Sequence, residues 1–169
     1  MSQLPPIGAE IPMSALAVDT PLQIRDEAVS VDFRGGLIVR VDVNSEDPHN
    51  SVKLCMLDYK WSAELPDSGG RITIEQGDVD SNPQSRLRIN QENQYEHLCV
   101  LSFIMTIDRP DTEPLILEAK SPATLIAKLR QYPPTGDLHT LQKPVDFATQ
   151  DNPATVVTIL QFPLKMGGL

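Results

Sequence analysis

Fifteen prolines and nine glycines are spread along 169 residues, and the stretches between them are short. Proline fixes φ and donates no amide hydrogen bond, so this punctuation leaves little room for long helices. The stretches themselves are rich in Val, Ile, Leu and Thr and alternate in polarity with period two. That is the pattern of half-buried strands separated by turns. The fold class predicted is mainly β: an antiparallel barrel, or half-open barrel, of about nine to ten strands. A two-sheet sandwich is the alternative, because counting strands does not separate the two.

Individual segments refine this expectation. In "VSVDFRGGLIVRVDV", residues 29–43, a three-residue loop Arg34-Gly35-Gly36 puts every apolar residue of a hairpin on one face. In "VKLCMLDYKWSAEL", the inward phase switches at Met56-Leu57, which predicts a β-bulge. "YEHLCVLSFIM", residues 95–105, is apolar on both sides, as in a strand covered on both faces. The cover expected is a short α-helix at about 122–131, in "SPATLIAKLRQYPP". Ser121 stands at its N-cap, Pro122 at its first position, and Leu125, Ile126 and Leu129 on one stripe. "LHTLQKPVDFA" reads as two edge pieces broken by Pro144. "ATVVTILQFPLKM" reads as a last strand with Val156, Thr158, Leu160 and Phe162 in phase. Residues 1–13 read as an extended Pro-rich arm and residues 14–169 as a single β domain.

Charge and motifs exclude several functions. The net charge is −9 with no cluster of Lys and Arg to offset it, so neither nucleic acid nor an anionic membrane surface is an expected partner. The N-terminal residues lack a secretory pattern, and no segment has the roughly 20 apolar residues of a membrane span. A cytoplasmic location follows as the expectation, with Cys55 and Cys99 as thiols. There is no glycine-rich phosphate loop and no GxSxG elbow. His49, His97 and His139 stand far apart in sequence, so neither a metal nor a cofactor is expected. One loop, Asp78-Asp80-Asn82, begins with oxygen-ligand spacing, but Pro83 and Ile89 break the pattern, leaving weak calcium binding at most.

What remains is the inward face. Tyr59 and Trp61 on one strand share a phase with Tyr95, His97, Cys99, Phe103 and Met105 on another. Apolar walls with a few polar tips suit a small hydrophobic ligand. Tyr59, Tyr95 and His97 are the candidate catalytic contacts: a titratable imidazole and two hydroxyl donors. Trp61, Cys99, Phe103 and Met105 are the candidate ligand-binding walls. Without cofactor or metal, an enzyme of this kind works by orientation, as a cyclase or isomerase. The rival function is a non-catalytic interaction or oligomeric scaffold domain. In it the Pro-rich arm or the C-terminal tail "FPLKMGGL" engages a second subunit, and the inward residues are simply core.

Overall fold

The computed structural model describes residues 3–66, 69–77 and 85–168, and in it thirteen strands form one antiparallel sheet that closes into a ring. Three strands are long: β1 (Glu10–Ile24), β2 (Glu27–Val43) and β3 (Ser51–Glu64). The other ten run end to end in pairs. These are β4 (Arg71–Gln76) with β5 (Arg86–Ile89), β6 (Tyr95–Leu101) with β7 (Phe103–Asp108), and β8 (Leu115–Ala119) with β9 (Ala123–Leu129). The last two pairs are β10 (Thr135–Leu141) with β11 (Val145–Thr149) and β12 (Asn152–Ile159) with β13 (Leu164–Gly168).

Each pair behaves as one stave. Both β4 and β5 flank β3; β7 and β6 flank them in turn; and so on around the ring. The last stave closes on the first, β13 against Met13–Ala17 and β12 against Leu22–Ile24. Eight staves thus follow one another in chain order, which is an up-and-down barrel. Closure decides between the two predicted architectures, since a sandwich would leave two separate sheets.

The staves bend or break partway along. The register of β1 on β2 shifts between Ala17 and Thr20, where Asp19 has φ 54° and its amide donates to Asp32 Oδ1 at 2.8 Å. In β3 the pairing with β2 passes from Asp58 to Met56, leaving Leu57 as the bulged residue expected from the phase switch. Inward residues run Val52, Leu54, Met56 before the bulge and Tyr59, Trp61, Ala63 after it, all buried. The β7–β8 pairing across residues 109–114 also matches the sequence pattern.

Four expectations are corrected. Residues 29–43 form no hairpin. They are the core of the continuous strand β2, and Val31, Phe33, Leu37, Val39 and Val41 face inward together simply because all are odd-numbered. Gly35 lies mid-strand because a Cβ there would sit 1.9 Å from the Lys60 carbonyl oxygen and 2.5 Å from Trp61 Cδ1. There is no helix at 122–131: residues 123–129 are β9, fully paired with β6 from Tyr95↔Leu129 to Leu101↔Ala123. Tertiary pairing overrides a modest helix propensity, and the buried set Ala123, Leu125, Leu129 obeys period two. β10 and β11 are not edges, since each has neighbours on both sides. In β12 the buried residues are Val157 and Ile159, the phase opposite to the one expected, with Leu160 exposed.

The terminal segments belong to the same body. In residues 3–9, Leu4 and Ala9 pack on the core, and the Gly8 amide donates to the Val41 carbonyl at 2.7 Å. The strand begins at Glu10, inside the segment expected to be an arm. Leu164 and Met166 of the tail are buried in this chain's own barrel. Among the described residues no helix is long and apolar enough to cross a membrane. The Asp78-Asp80-Asn82 loop lies outside the described residues.

Candidate functional site

The inward side chains gather into two aromatic groups. One lies around the bends: all four phenylalanines of the chain, Phe33, Phe103, Phe147 and Phe162, with Tyr59 and Trp61. Tyr59 stacks on Trp61 with centroids 4.9 Å apart, and Phe103 and Phe162 meet Trp61 at 5.9 and 5.7 Å. This group is packing: its rings are fully or nearly fully buried and fill one another's surroundings. Tyr59 donates its hydroxyl to the Ser102 carbonyl, and burial pushes its ionisation well above the ordinary range. Trp61 Nε1 has no hydrogen-bond partner.

The second group lies toward the Tyr95 end of β6. His97 and His139 meet with Nδ1 of the first 2.8 Å from Nε2 of the second, their rings nearly perpendicular. β9 separates the strands that carry them. His97 pairs with Ala127, and extending the β9–β10 register by one residue sets His139 beside the same alanine. The small side chain of Ala127 therefore lets two imidazoles bridge across an intervening strand. Tyr132, in the turn between β9 and β10, packs edge-on against His97 at 5.8 Å. Tyr95 closes this end: its hydroxyl donates to the Gln3 carbonyl and accepts from the Gln3 amide at 3.0 Å. Cys99 lies within electrostatic reach of both Tyr59 and Tyr132, so it stands between the two groups.

The proton positions on the two rings are assigned from their hydrogen bonds. His139 Nδ1 lies 3.2 Å from the Asp137 carbonyl, which can only accept, so Nδ1 carries the hydrogen and Nε2 is an acceptor. His97 Nδ1 must then be the donor in the bond between the two rings. That leaves His97 Nε2 bare, buried and without a partner. The Tyr132 hydroxyl is likewise buried and unpartnered. Buried polar groups are normally bonded, and this end holds two of the three unbonded ones among the described residues, the third being Trp61 Nε1.

The acid–base properties limit the chemistry. Burial, with a smaller contribution from His139, lowers the His97 pKa to about 3. Burial also lowers that of His139, though the Asp137 and Leu164 carbonyls and the Asp137 carboxylate pull the other way. Both rings are neutral at neutral pH, consistent with the proton assignment. Moving a proton from an ordinary phenol, pKa about 10, onto His97 would run strongly uphill. His97 therefore acts as a hydrogen-bond acceptor and not as a ready base. Burial pushes the Cys99 thiol up to about 12, so it is no thiolate nucleophile. Burial raises Tyr132 as well, which keeps its hydroxyl proton in place.

The structure thus brings His97, Cys99 and Tyr95 to one end of the interior and Tyr59, Trp61 and Phe103 to the aromatic group, with Met105 buried beyond on β7. Of the three candidate catalytic residues, Tyr59 and Tyr95 have their hydroxyls engaged by backbone, and only His97 keeps a free polar atom. Sequence reasoning missed His139 and Tyr132. The phase shared by His139 and Leu141 could have placed the first inward; nothing local indicates the second. Among the described residues no group of three or more metal-ligating side chains occurs.

No protein-family model matches this chain, and no curated protein does. A solved structure does: that of DynF from the dynemicin biosynthesis pathway of Micromonospora chersina. It superposes with a TM-score of 0.78 at 16% identity, covering 97% of this chain and 82% of that one. At that identity the likeness is one of fold, and the fold shared is a β-barrel.

Proposed function

We propose that the barrel holds a small, largely apolar molecule at its His97 end. The observation that carries this reading is the pair of buried, unpartnered polar atoms, His97 Nε2 and the Tyr132 hydroxyl, on residues whose rings touch, in an interior that is mostly apolar. Ligand sites combine apolar walls with a few placed polar groups, and an eight-stranded barrel either fills with side chains or holds one small ligand. The fold shared with a protein of a biosynthesis pathway supports a role in metabolite chemistry. Any reaction at this end is one that orientation accelerates, a cofactor-free cyclisation or isomerisation, because neither His97 nor Cys99 is a strong base or nucleophile here.

Native mass spectrometry of gently purified protein tests this, together with titration by the neutral fluorophore N-phenyl-1-naphthylamine. The expected result is a retained organic mass or a saturable rise in probe emission, with a change in the emission of Trp61, the chain's one tryptophan. Repeated preparations holding nothing but water, and no saturable response, would reject the reading.

The rival, a non-catalytic interaction domain, has one observation in its favour. Outward-facing Leu98, Ile126 and Leu138 line a surface groove of about 590 Å³ bordered by Arg86, Arg88 and Lys128. If that groove joins two copies of the chain, sedimentation will show a dimer that Ile126→Glu dissociates; a monomer at all concentrations removes this reading.

A further inference from the structure

The two orphan atoms at the His97 end ask for different partners, and the difference specifies a ligand chemistry. His97 Nε2 can only accept, because the chain of bonds from the Asp137 carbonyl through His139 commits the His97 proton to Nδ1. The Tyr132 hydroxyl can donate. The titratable groups facing His97 are His139 and Tyr132, with Cys99 and Tyr95 on its own strand. None of them carries a positive charge. No Lys, Arg, Asp or Glu is buried among the described residues, so the interior holds no fixed charge of either sign.

An anionic ligand head would therefore enter a low-dielectric space with no counter-charge, which is costly. A pure hydrocarbon would leave both orphans unsatisfied. We infer that the ligand is an uncharged, mostly apolar molecule bearing a hydroxyl, phenolic or enolic, that donates to His97 Nε2 while one of its oxygens accepts from Tyr132. This inference rests on the reading of the barrel as a ligand holder and adds the polarity of the contact. It also gives Ala127 and His139 a function: they position the His97 proton, and with it the direction of the hydrogen bond offered to the ligand.

Competition against bound N-phenyl-1-naphthylamine tests it with three matched probes: 4-butylphenol, butylbenzene and 4-butylbenzoate. The phenol should displace the fluorophore about tenfold more tightly than the hydrocarbon, the ratio expected when a buried acceptor gains its donor. The benzoate should be the weakest of the three. In His97→Phe the preference of phenol over hydrocarbon should fall to near one, with affinity for butylbenzene retained. In His139→Leu, which frees the His97 proton to move to Nε2, the preference should pass toward acceptor-only ligands such as butyrophenone. Nitrogen NMR of the wild-type protein reads the proton position independently of any variant: Nδ1 protonated and Nε2 bare at neutral pH is the expected state.

Equal binding of phenol and hydrocarbon, tightest binding of the benzoate, or a protonated His97 Nε2 would each overturn the inference while leaving a ligand-binding barrel. Failure of the fluorophore and all three probes to bind would remove the ligand-binding reading itself, and the inference with it.

Discussion

An imidazole enters this barrel from a solvent in which its pKa is near 6.5, and His97 leaves that range for about 3. Its partner His139 is lowered too. Between the folded and unfolded pKa values the unfolded chain binds protons that the folded chain refuses. Stability contributed by His97 is therefore complete above about pH 6.5 and lost as pH falls toward 3, by up to about 1.4 kcal/mol per pH unit, and His139 adds a loss of the same sign below about pH 6.5. The melting temperature should fall more steeply between pH 7 and 4.5 in the wild type than in a His97→Phe, His139→Phe double variant; parallel curves would contradict the burial of two neutral rings. Gly35 is the other residue with an exact spatial requirement. Gly35→Ala drives a methyl into the Lys60 carbonyl and the Trp61 ring, and should cost about 3 kcal/mol or more in urea unfolding. The sequence shows that His97 points inward, since alternation from Tyr95 to Met105 is unbroken. It cannot show that His139 meets it, because that contact depends on a third strand and on the smallness of Ala127.

At the scale of elements, the strands were legible where period two had no competitor, as in β3, β4 and β7. They were misread where two periods fit the same letters. Leu125, Ile126 and Leu129 satisfy a helix stripe; Ala123, Leu125 and Leu129 satisfy a strand. Only the pairing of β9 with β6 distinguishes them, and that partner lies over twenty residues upstream. The two assignments predict different costs. Leu125 is 0% exposed and Ile126 45%. Leu125→Ala should lose about 2–4 kcal/mol and Ile126→Ala under about 1, measured by urea denaturation. A helix stripe would make the two losses similar. The hairpin expected at Arg34-Gly35-Gly36 has the same origin: the glycines read locally as a turn, whereas in the barrel Gly35 lets β2 pass close to Trp61 and Gly36 faces the Met13 carbonyl.

For the molecule as a whole, the outward face of β6 explains a sequence feature that first suggested a covering helix. Leu98 and Val100 are half-buried at the surface of a closed barrel, and no helix or second sheet covers them among the described residues. Two strands share the closure: β13 fills the gap between β10 and Met13–Ala17 of β1, while β12 holds Leu22–Ile24. Removing residues 164–169 should leave both neighbours with unpaired backbone and produce concentration-dependent association visible by light scattering. A monomeric, soluble truncation would show that β12 alone holds the ring closed. Met13–Ala17 leaves the ribosome about 150 residues ahead of Leu164–Gly168, the segment that shields one side of it. Until that segment follows, the nascent protein carries an open seam along β1, where bare backbone invites pairing with another chain.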